Sequence, residues 1–412
     1  MPQESMPLQD VPCLAIQGSL LCKGSSKRKW TEGQDSECTP TELIHQWSPG
    51  HKQRSMWKGK ENDCNHFVIS RRSRKRKESL SGVSWDNLPD ELILRILFFL
   101  PLHDLLMTSV TCRRWHRLAF DESLWHSVDL EGMTNMGPAL EQVLKTGVQR
   151  LRCPRSFIDN LHVTGTCTLQ IAEMDLSSSI ITTPTLESIL SRCHLLECLS
   201  LEGLQLSDTI IRALDNNPRL RQLNLSGCSD FSADALAHML QSCLRIEQLN
   251  VSWCAFDSNH VRSVVNHVTP SVAKLNLSGY RDSLTLDDVK VLVARCPHIL
   301  TLDLSDSTQL MADCFPVLSD LQHLMHLSLS RCYHIHIAAL TNLKKTFHAL
   351  HYLDVFGLVN DSHLPTLRKE NPGICINSWP FSAIARPTPA SAVGGVGGLS
   401  MWNKKSRLRF KL

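Results

Sequence analysis

Residues 220–225 read Leu-Arg-Gln-Leu-Asn-Leu, followed at once by Ser226-Gly227-Cys228. The same Leu-x-x-Leu-x-Leu core returns about every 25 residues. The first residue of each inner Leu-x-Leu stands at Val128, Leu151, Met174, Leu199, Leu223, Leu249, Leu275, Leu302, Leu327 and Leu353, with spacings between 23 and 27. A fixed period in this range marks a solenoid built from stacked leucine-rich repeats.

Physical chemistry gives the reason. Alternate residues of a short strand, such as Leu223 and Leu225, point inward, and a helical segment over 233–243 adds Leu236, Met239 and Leu240 in helical spacing. One unit of this kind cannot bury its own apolar face, whereas stacking neighbours make a continuous core under a parallel sheet. Each buried Leu or Val then contributes roughly 1.5–3 kcal/mol. The predicted class is α/β, a curved solenoid of about ten repeats with its parallel sheet on the concave face. The intervening Asn224, Asn250, Asn276, Asp303, Ser328 and Asp354 are expected to face that open concave side.

The chain has 16 Cys. Cys193, Cys243 and Cys296 close helical segments, and Cys228, Cys254 and Cys332 follow strands. They track the repeat and not a staple pattern, and no Cys-x-x-Cys supplies the clustered ligands that zinc needs. They read as small buried core residues, and no metal or cofactor is expected. Asn-x-Ser sequons at Asn224, Asn250 and Asn276 fall inside strands. No apolar run reaches the roughly 18 residues that span a bilayer, and the first residues do not read as a signal peptide. The expectation is an intracellular protein with reduced thiols.

Residues 84–125 have another grammar: SWDNLPDELILRILFFLPLHDLLMTSVTCRRWHRLAFDESLW. Pro89 opens a helix with Asp90 and Glu91 in its first turn, and Pro101 stops it. A second helix is predicted around 103–109, and a third carries Arg113, Arg114, Trp115 and Leu118. Some forty residues cannot bury so wide an apolar stripe alone. Part of it must pack on the first repeat and part on another protein, unless the segment only caps the solenoid.

Leu88-Pro89-Asp90-Glu91-Leu92, the Leu100-Pro101-Leu102 junction, Cys112-Arg113-Arg114-Trp115 and Leu124-Trp125 resemble an F-box. Joined to cysteine-type repeats, this resembles the F-box/leucine-rich-repeat substrate receptors of SCF ubiquitin ligases. The stretches 82–86, 152–157, 275–281, 327–333 and Ile384-Ala385-Arg386-Pro387 carry the likeness further along the chain. The resemblance implies docking on the Skp adaptor, and through it a cullin-RING core, by Leu88, Pro89, Leu92, Ile93, Ile96, Leu105, Leu106 and Trp115. It divides the chain into an N-terminal region over 1–80, an F-box over 81–127, repeats over 128–376 and an extended tail over 377–412.

Repeat geometry nominates a second surface. Two residues after the Leu-x-Leu core stand Gly227, Trp253, Gly279, Asp306 and Arg331, with Arg281 and Tyr333 two further on. Aromatic and Arg anchors dominate interface energetics. The family resemblance implies that Trp253, Arg281, Asp306, Arg331 and Tyr333, with Phe381 from the tail, hold a Cks accessory protein and a phosphorylated Kip-type cyclin-dependent kinase inhibitor. A cyclin–kinase complex is a further implied partner. The same resemblance has the tail run back along the concave face.

Residues 1–80 hold 14 Lys and Arg against 9 Asp and Glu, while the remaining chain is near neutral. The N-terminal region is polar and reads as disordered. The repeats lack the strongly basic face of a nucleic-acid binder, and neither nucleic acid nor membrane is an expected partner. A non-ligase repeat scaffold explains the solenoid but leaves Leu88-Pro89 and Trp115 without a role. The run Arg71, Arg72, Arg74, Lys75, Arg76, Lys77 reads as a nuclear import signal, which places the protein in nucleus and cytoplasm. Replacing Arg74, Lys75, Arg76 and Lys77 with Ala is expected to abolish nuclear accumulation of a fluorescent fusion; unchanged accumulation would refute the assignment.

Overall fold

The structure is a computed structural model, and it describes residues 85–131, 133, 136–158, 167–387, 408 and 409. The chain divides into two compact units, Met1–Glu37 and Cys38–Leu412, and every described residue belongs to the second. The expectations for residues 1–80, including the import run, and for the tail over 388–407 and 410–412 lie outside the described residues.

Three helices come first: α1 (Asp90–Leu97), α2 (Leu102–Ser109) and α3 (Arg113–Ala119). Pro89 and Pro101 occupy the N-cap positions of the first two, as their fixed φ and missing N–H favour. Cys112 caps the third by accepting from Trp115 N. Arg114 ties the unit together. Its guanidinium donates to Asp90 Oδ1 at 2.8 Å and to the backbone carbonyls of Trp85, Asp86 and Leu88. The Arg114 hydrogen bond, with Arg117 beside it, holds the Asp90 carboxyl below its usual pKa. Trp125 is buried, its indole N–H donating to Ala119 O at 2.7 Å and its ring stacked on Phe120.

The repeats follow as three-residue strands in one parallel sheet. The Cα register aligns Val128, Leu151, Met174, Leu199, Leu223, Leu249, Leu275, Leu302, Leu327 and Leu353. These are the ten positions the leucine period selects. Ile376 extends the row at one end, and Leu408 extends it at the other by pairing with Val128. The C-terminal tail therefore contributes a strand at the edge opposite to the one from which it departs. Several helices on the outer side are capped locally. Ser232 accepts from Ala235 N ahead of Ala233–Ser242, and Thr285 forms a capping box with Asp288 ahead of Leu286–Arg295. One hydrophobic core runs without interruption from Ile93 and Leu105 to Ile376.

The six cysteines that track the repeat are buried, whereas Cys112, Cys167 and Cys375 are exposed. Cys228, Cys254 and Cys332 donate to the carbonyls of Leu201, Leu225 and Leu304 one repeat back, at 3.1, 3.0 and 3.4 Å. Burial pushes the Cys193, Cys243 and Cys314 thiols up to about 12, so they are not thiolate nucleophiles at neutral pH.

One expectation is corrected. Asn224, Asn250, Asn276, Asp303, Ser328 and Asp354 are not open to solvent on the concave face; all are buried. Four of these side chains turn back on their own strands, while Asp354 pairs with His326 Nε2 and Trp379 N. Asn224, Asn250, Asn276 and Asp303 each accept, at 3.0–3.1 Å, from the N–H of the serine two residues on. This satisfies backbone donors that burial would otherwise leave unpaired. The tail covers part of the row as well: Asn250 Nδ2 donates to Ile384 O, and Asp354 Oδ1 accepts from Trp379 N.

Leu249→Ala removes a fully buried side chain from the middle of the row and is expected to destabilise the protein by about 2–5 kcal/mol. Urea unfolding measures this; a loss below about 0.5 kcal/mol, the usual size for surface substitutions, would place Leu249 outside the core.

Candidate interaction surfaces

The first surface lies on the three-helix unit. Leu92 and Ile96, one turn apart on α1, are 47% and 42% exposed, and Phe98 and Phe99 just beyond its end are 50% and 78% exposed. Leu88, Leu92, Arg95, Ile96, Phe99 and Leu100 line a shallow apolar groove of about 500 Å³. Pro89 stands exposed at the helix start. Trp115 is half-buried, edge-on to exposed Trp85 with ring centroids 5.4 Å apart.

Ile93, Leu105 and Leu106 are corrected. They belong to the sealed core of the unit, with exposures of 1%, 0% and 0%. The cause is helical periodicity: Ile93 and Leu97 lie on the inward face of α1, while Leu92 and Ile96 lie on the outward one. On α2 the exposed apolar residue is Met107, with Val110 just past the helix. Phe98, Phe99, Met107 and Val110 escaped the sequence reading because none falls in the Leu-Pro or Cys-Arg-Arg-Trp signature. Their signal was the continuous apolar run itself, longer than one buried face requires.

The second surface begins with a backbone constraint. Four residues after the first leucine of each core from Leu151 to Leu353, the chain is left-handed: Arg155, Ser178, Gly203, Gly227, Trp253, Gly279, Asp306, Arg331 and Gly357 all have φ between 52° and 96°. From Arg155 to Arg331 this conformation lets each N–H reach a carbonyl on the next repeat. Trp253 N donates to Ser278 O, Gly279 N to Ser305 O, Asp306 N to Ser330 O and Arg331 N to Phe356 O, at 2.7–2.9 Å. Glycine adopts the geometry freely, and a residue with a Cβ does so at roughly 1–2 kcal/mol. Five of the nine are not glycine, so side chains leave the rim here against a local penalty. Such sites concentrate where function over-determines them.

Trp253, Arg281, Asp306, Arg331 and Tyr333 meet on this rim. The Trp253 indole lies across Gly279, where an added Cβ would stand 2.8 Å from the ring. The Arg331 guanidinium sits over the indole, 5.3 Å from its centroid. The Asp306 side chain has no exposure; Arg281 Nε lies 3.0 Å from one oxygen and Arg331 Nε 3.5 Å from the other. Asp306, first by hydrogen bond and then by charge, raises the Arg281 pKa further. One buried carboxylate thus aims two half-exposed guanidiniums outward beside an exposed indole and the 58%-exposed Tyr333. Such an arrangement suits anionic and aromatic groups on a partner. Phe381, on the tail, is 64% exposed. Among the described residues no three His, Cys, Asp or Glu side chains gather as a metal-binding group.

The family described as "SKP2 LRR domain" matches residues 138–409, and the one described as "F-box-like" matches residues 85–131. The chain is 24% identical over 254 residues to putative F-box/LRR-repeat protein 23 of Arabidopsis thaliana, covering 58% of this chain and 53% of that one. It is 21% identical over 226 residues to F-box/LRR-repeat protein 21 of Bos taurus, covering 47% and 52%. F-box/LRR-repeat protein 12 of Mus musculus matches at 24% over 281 residues, covering 55% and 84%. The chain spans about half the length of the first two relatives. Among solved structures, the Rad7 and Elc1 complex in yeast aligns with a TM-score of 0.41 at 16% identity, covering 62% of this chain and 64% of that one.

Gly279→Ala is expected to lose about 1–3 kcal/mol in urea unfolding, from left-handed strain and the clash with Trp253. In a Trp253→Ala background the loss should shrink, because the steric part is gone. Equal losses in both backgrounds would mean that the indole does not lie across Gly279.

Proposed function

The chain belongs to the F-box/leucine-rich-repeat proteins, with repeats of the kind its SKP2 family match describes, and on that premise we propose that it is the substrate-binding subunit of an SCF ubiquitin ligase. The observation that carries this reading is the apolar face of Leu88, Leu92, Ile96 and Phe99, left uncovered on a unit whose opposite face is sealed into the repeat core. Exposed large apolar groups rimmed by charge, here Arg95, mark protein-binding sites. The partner for that face is the Skp adaptor, which brings a cullin-RING core. Pro89, Phe98 and Met107 extend the contact, and Trp115 holds Trp85 at its border.

The finer reading is a receptor of the S-phase kinase-associated protein 2 type. Trp253, Arg281, Asp306, Arg331, Tyr333 and Phe381 hold a Cks accessory protein, and together they receive a phosphorylated Kip-type inhibitor of cyclin-dependent kinases, with a cyclin–kinase complex as a further partner. The paired guanidiniums over Asp306 support it, since they offer charge-assisted donors to acidic groups. The chain performs no bond chemistry in this scheme. It brings a bound protein close to a ubiquitin-loaded enzyme, a proximity effect. The import run at Arg74 to Lys77 adds nuclear entry to the proposal.

Co-purification of the Ile96→Asp/Phe99→Asp variant with the Skp adaptor and cullin tests the main claim. Both residues are exposed, so the variant should fold with wild-type circular dichroism yet lose both partners. Retention of the adaptor by the folded variant, or its absence from the wild type, would leave the repeats as a scaffold outside any ligase.

A further inference from the structure

The sequence Ile384-Ala385-Arg386-Pro387 is where the tail is fastened to the sheet. Ile384 and Ala385 are almost fully buried. The Ile384 carbonyl accepts from Asn250 Nδ2 at 3.1 Å, and Ala385 N donates to Gln248 Oε1 at 3.3 Å. Ala385 has φ 52°, a left-handed backbone that residues with a Cβ resist, and it is buried. Arg386 then makes a two-pronged pair with Glu202, Nε and Nη2 each 3.1 Å from a carboxylate oxygen, and its Nη1 donates back to Ser382 O at 3.3 Å. Glu202 is steadied in turn by Asn224 Nδ2 at 2.9 Å. Four hydrogen bonds to the repeats therefore converge on three residues of an otherwise irregular segment.

The other fastening is upstream, where Trp379 N donates to Asp354 Oδ1 at 3.2 Å and the indole stands edge-on to Tyr352. Arg386 reaches Glu202 in the repeat of Leu199, and the fastenings nearest Phe381 belong to the strands of Leu353 and Leu249. Between those strands lie the strands of Leu327, Leu302 and Leu275, and these repeats carry Arg331, Asp306 and Arg281. Phe381 sits in the four residues that span the gap and remains 64% exposed although both of its flanks are tied down. An exposed aromatic on a tethered segment has already given up much of the freedom that binding would otherwise remove.

We infer that Ile384, Ala385 and Arg386 form a buckle for the tail, and that Arg386, through Glu202, is a positioning residue that presents Phe381 as the second wall of the rim site. The inference rests on the rim reading proposed above for its ligand, but not for the buckle itself. Arg386 touches no partner in this scheme; it acts through the placement of Phe381. That separates its behaviour from that of Arg281 and Arg331, whose charges face outward.

The experiment uses the full chain and two readouts. The first is amide hydrogen exchange over residues 378–387, which needs no partner. Arg386→Glu and Glu202→Arg should each speed exchange across this segment at least several-fold, and the double exchange of charges should restore protection. The second is binding of purified Cks protein. Arg386→Glu should weaken it about tenfold, equivalent to about 1.4 kcal/mol, Phe381→Ala should do likewise, and the two together should be no worse than either alone. Rescue by the charge swap and loss of additivity with Phe381 are effects that a merely destabilising substitution does not give. Unchanged exchange in Arg386→Glu overturns the buckle, and fully multiplicative losses with Phe381→Ala overturn its positioning role. If the wild type binds no Cks protein, the positioning role fails together with the rim reading, and the exchange data still decide the buckle.

Discussion

Every other feature depends on the parallel register of three-residue strands. A strand that short has no independent stability, and its leucines are buried only because the next repeat presents leucines at the same height. Keeping register over 23–27 residues requires more than apolar matching, since repeats of unequal length must return to one plane. The left-handed residue after each core supplies this. Its N–H is aimed at a carbonyl of the following repeat, so the ladder continues one turn beyond the strand. The penalty at Trp253, Asp306 and Arg331 is the counterpart of that continuity. Stacking thus creates the rim on which recognition side chains are displayed, and fold and candidate site are two consequences of one constraint.

A curved parallel sheet ordinarily offers its concave face to ligands. Here that face is closed from within. Asn and Asp side chains along it accept from their own backbone, and the tail lies over the strands of Leu353 and Leu249 before its far end pairs with Val128. Burial raises the Asp175 and Asp303 pKa values, although serine hydrogen bonds pull the other way, as expected for carboxylates enclosed in protein. With the bowl filled, the accessible chemistry of the later repeats moves to the rim and to the outer side of the tail. Trp253, Arg281, Arg331 and Tyr333, with Phe381, are therefore a small set of exposed anchors around the buried Asp306.

Much of this was legible because it is periodic. The leucine spacing selected ten of the twelve aligned strand positions, and Pro89 marked the start of α1, while Pro101, read as its stop, also caps the start of α2. The rim cluster was legible because a repeat converts sequence equivalence into spatial adjacency. What failed was what periodicity does not encode. An apolar stripe covering most of a short helix does not say which side is inward, so Ile93, Leu105 and Leu106 were read as surface while Phe98 and Phe99 were passed over. An asparagine on an alternate strand position looks solvent-facing until its side chain closes on the backbone two residues away. The pairing of Leu408 with Val128 joins residues 280 positions apart in a tail with no repeat, and nothing local announces it.

Joining the two surfaces in one body is what gives the architecture functional meaning. Trp125, Leu124 and Leu118 from the three-helix unit belong to the same core as Val128 and Leu151, so no solvent-filled hinge separates docking face from repeats. Seven strand steps separate Val128 from Leu302, roughly 34 Å at the spacing of neighbouring strands. A flexible linker of that reach would spread a bound protein through a large volume and dilute its effective concentration at a fixed catalytic partner. A packed solenoid fixes the separation instead, and the tail strand at Val128 ties the last repeat's outgoing chain back to the first strand. Rigidity is thus what this chain would supply to the proposed proximity mechanism. In that proposal the stacked leucines would matter as directly as the rim arginines, because a receptor that bound well but bent freely would present its cargo poorly.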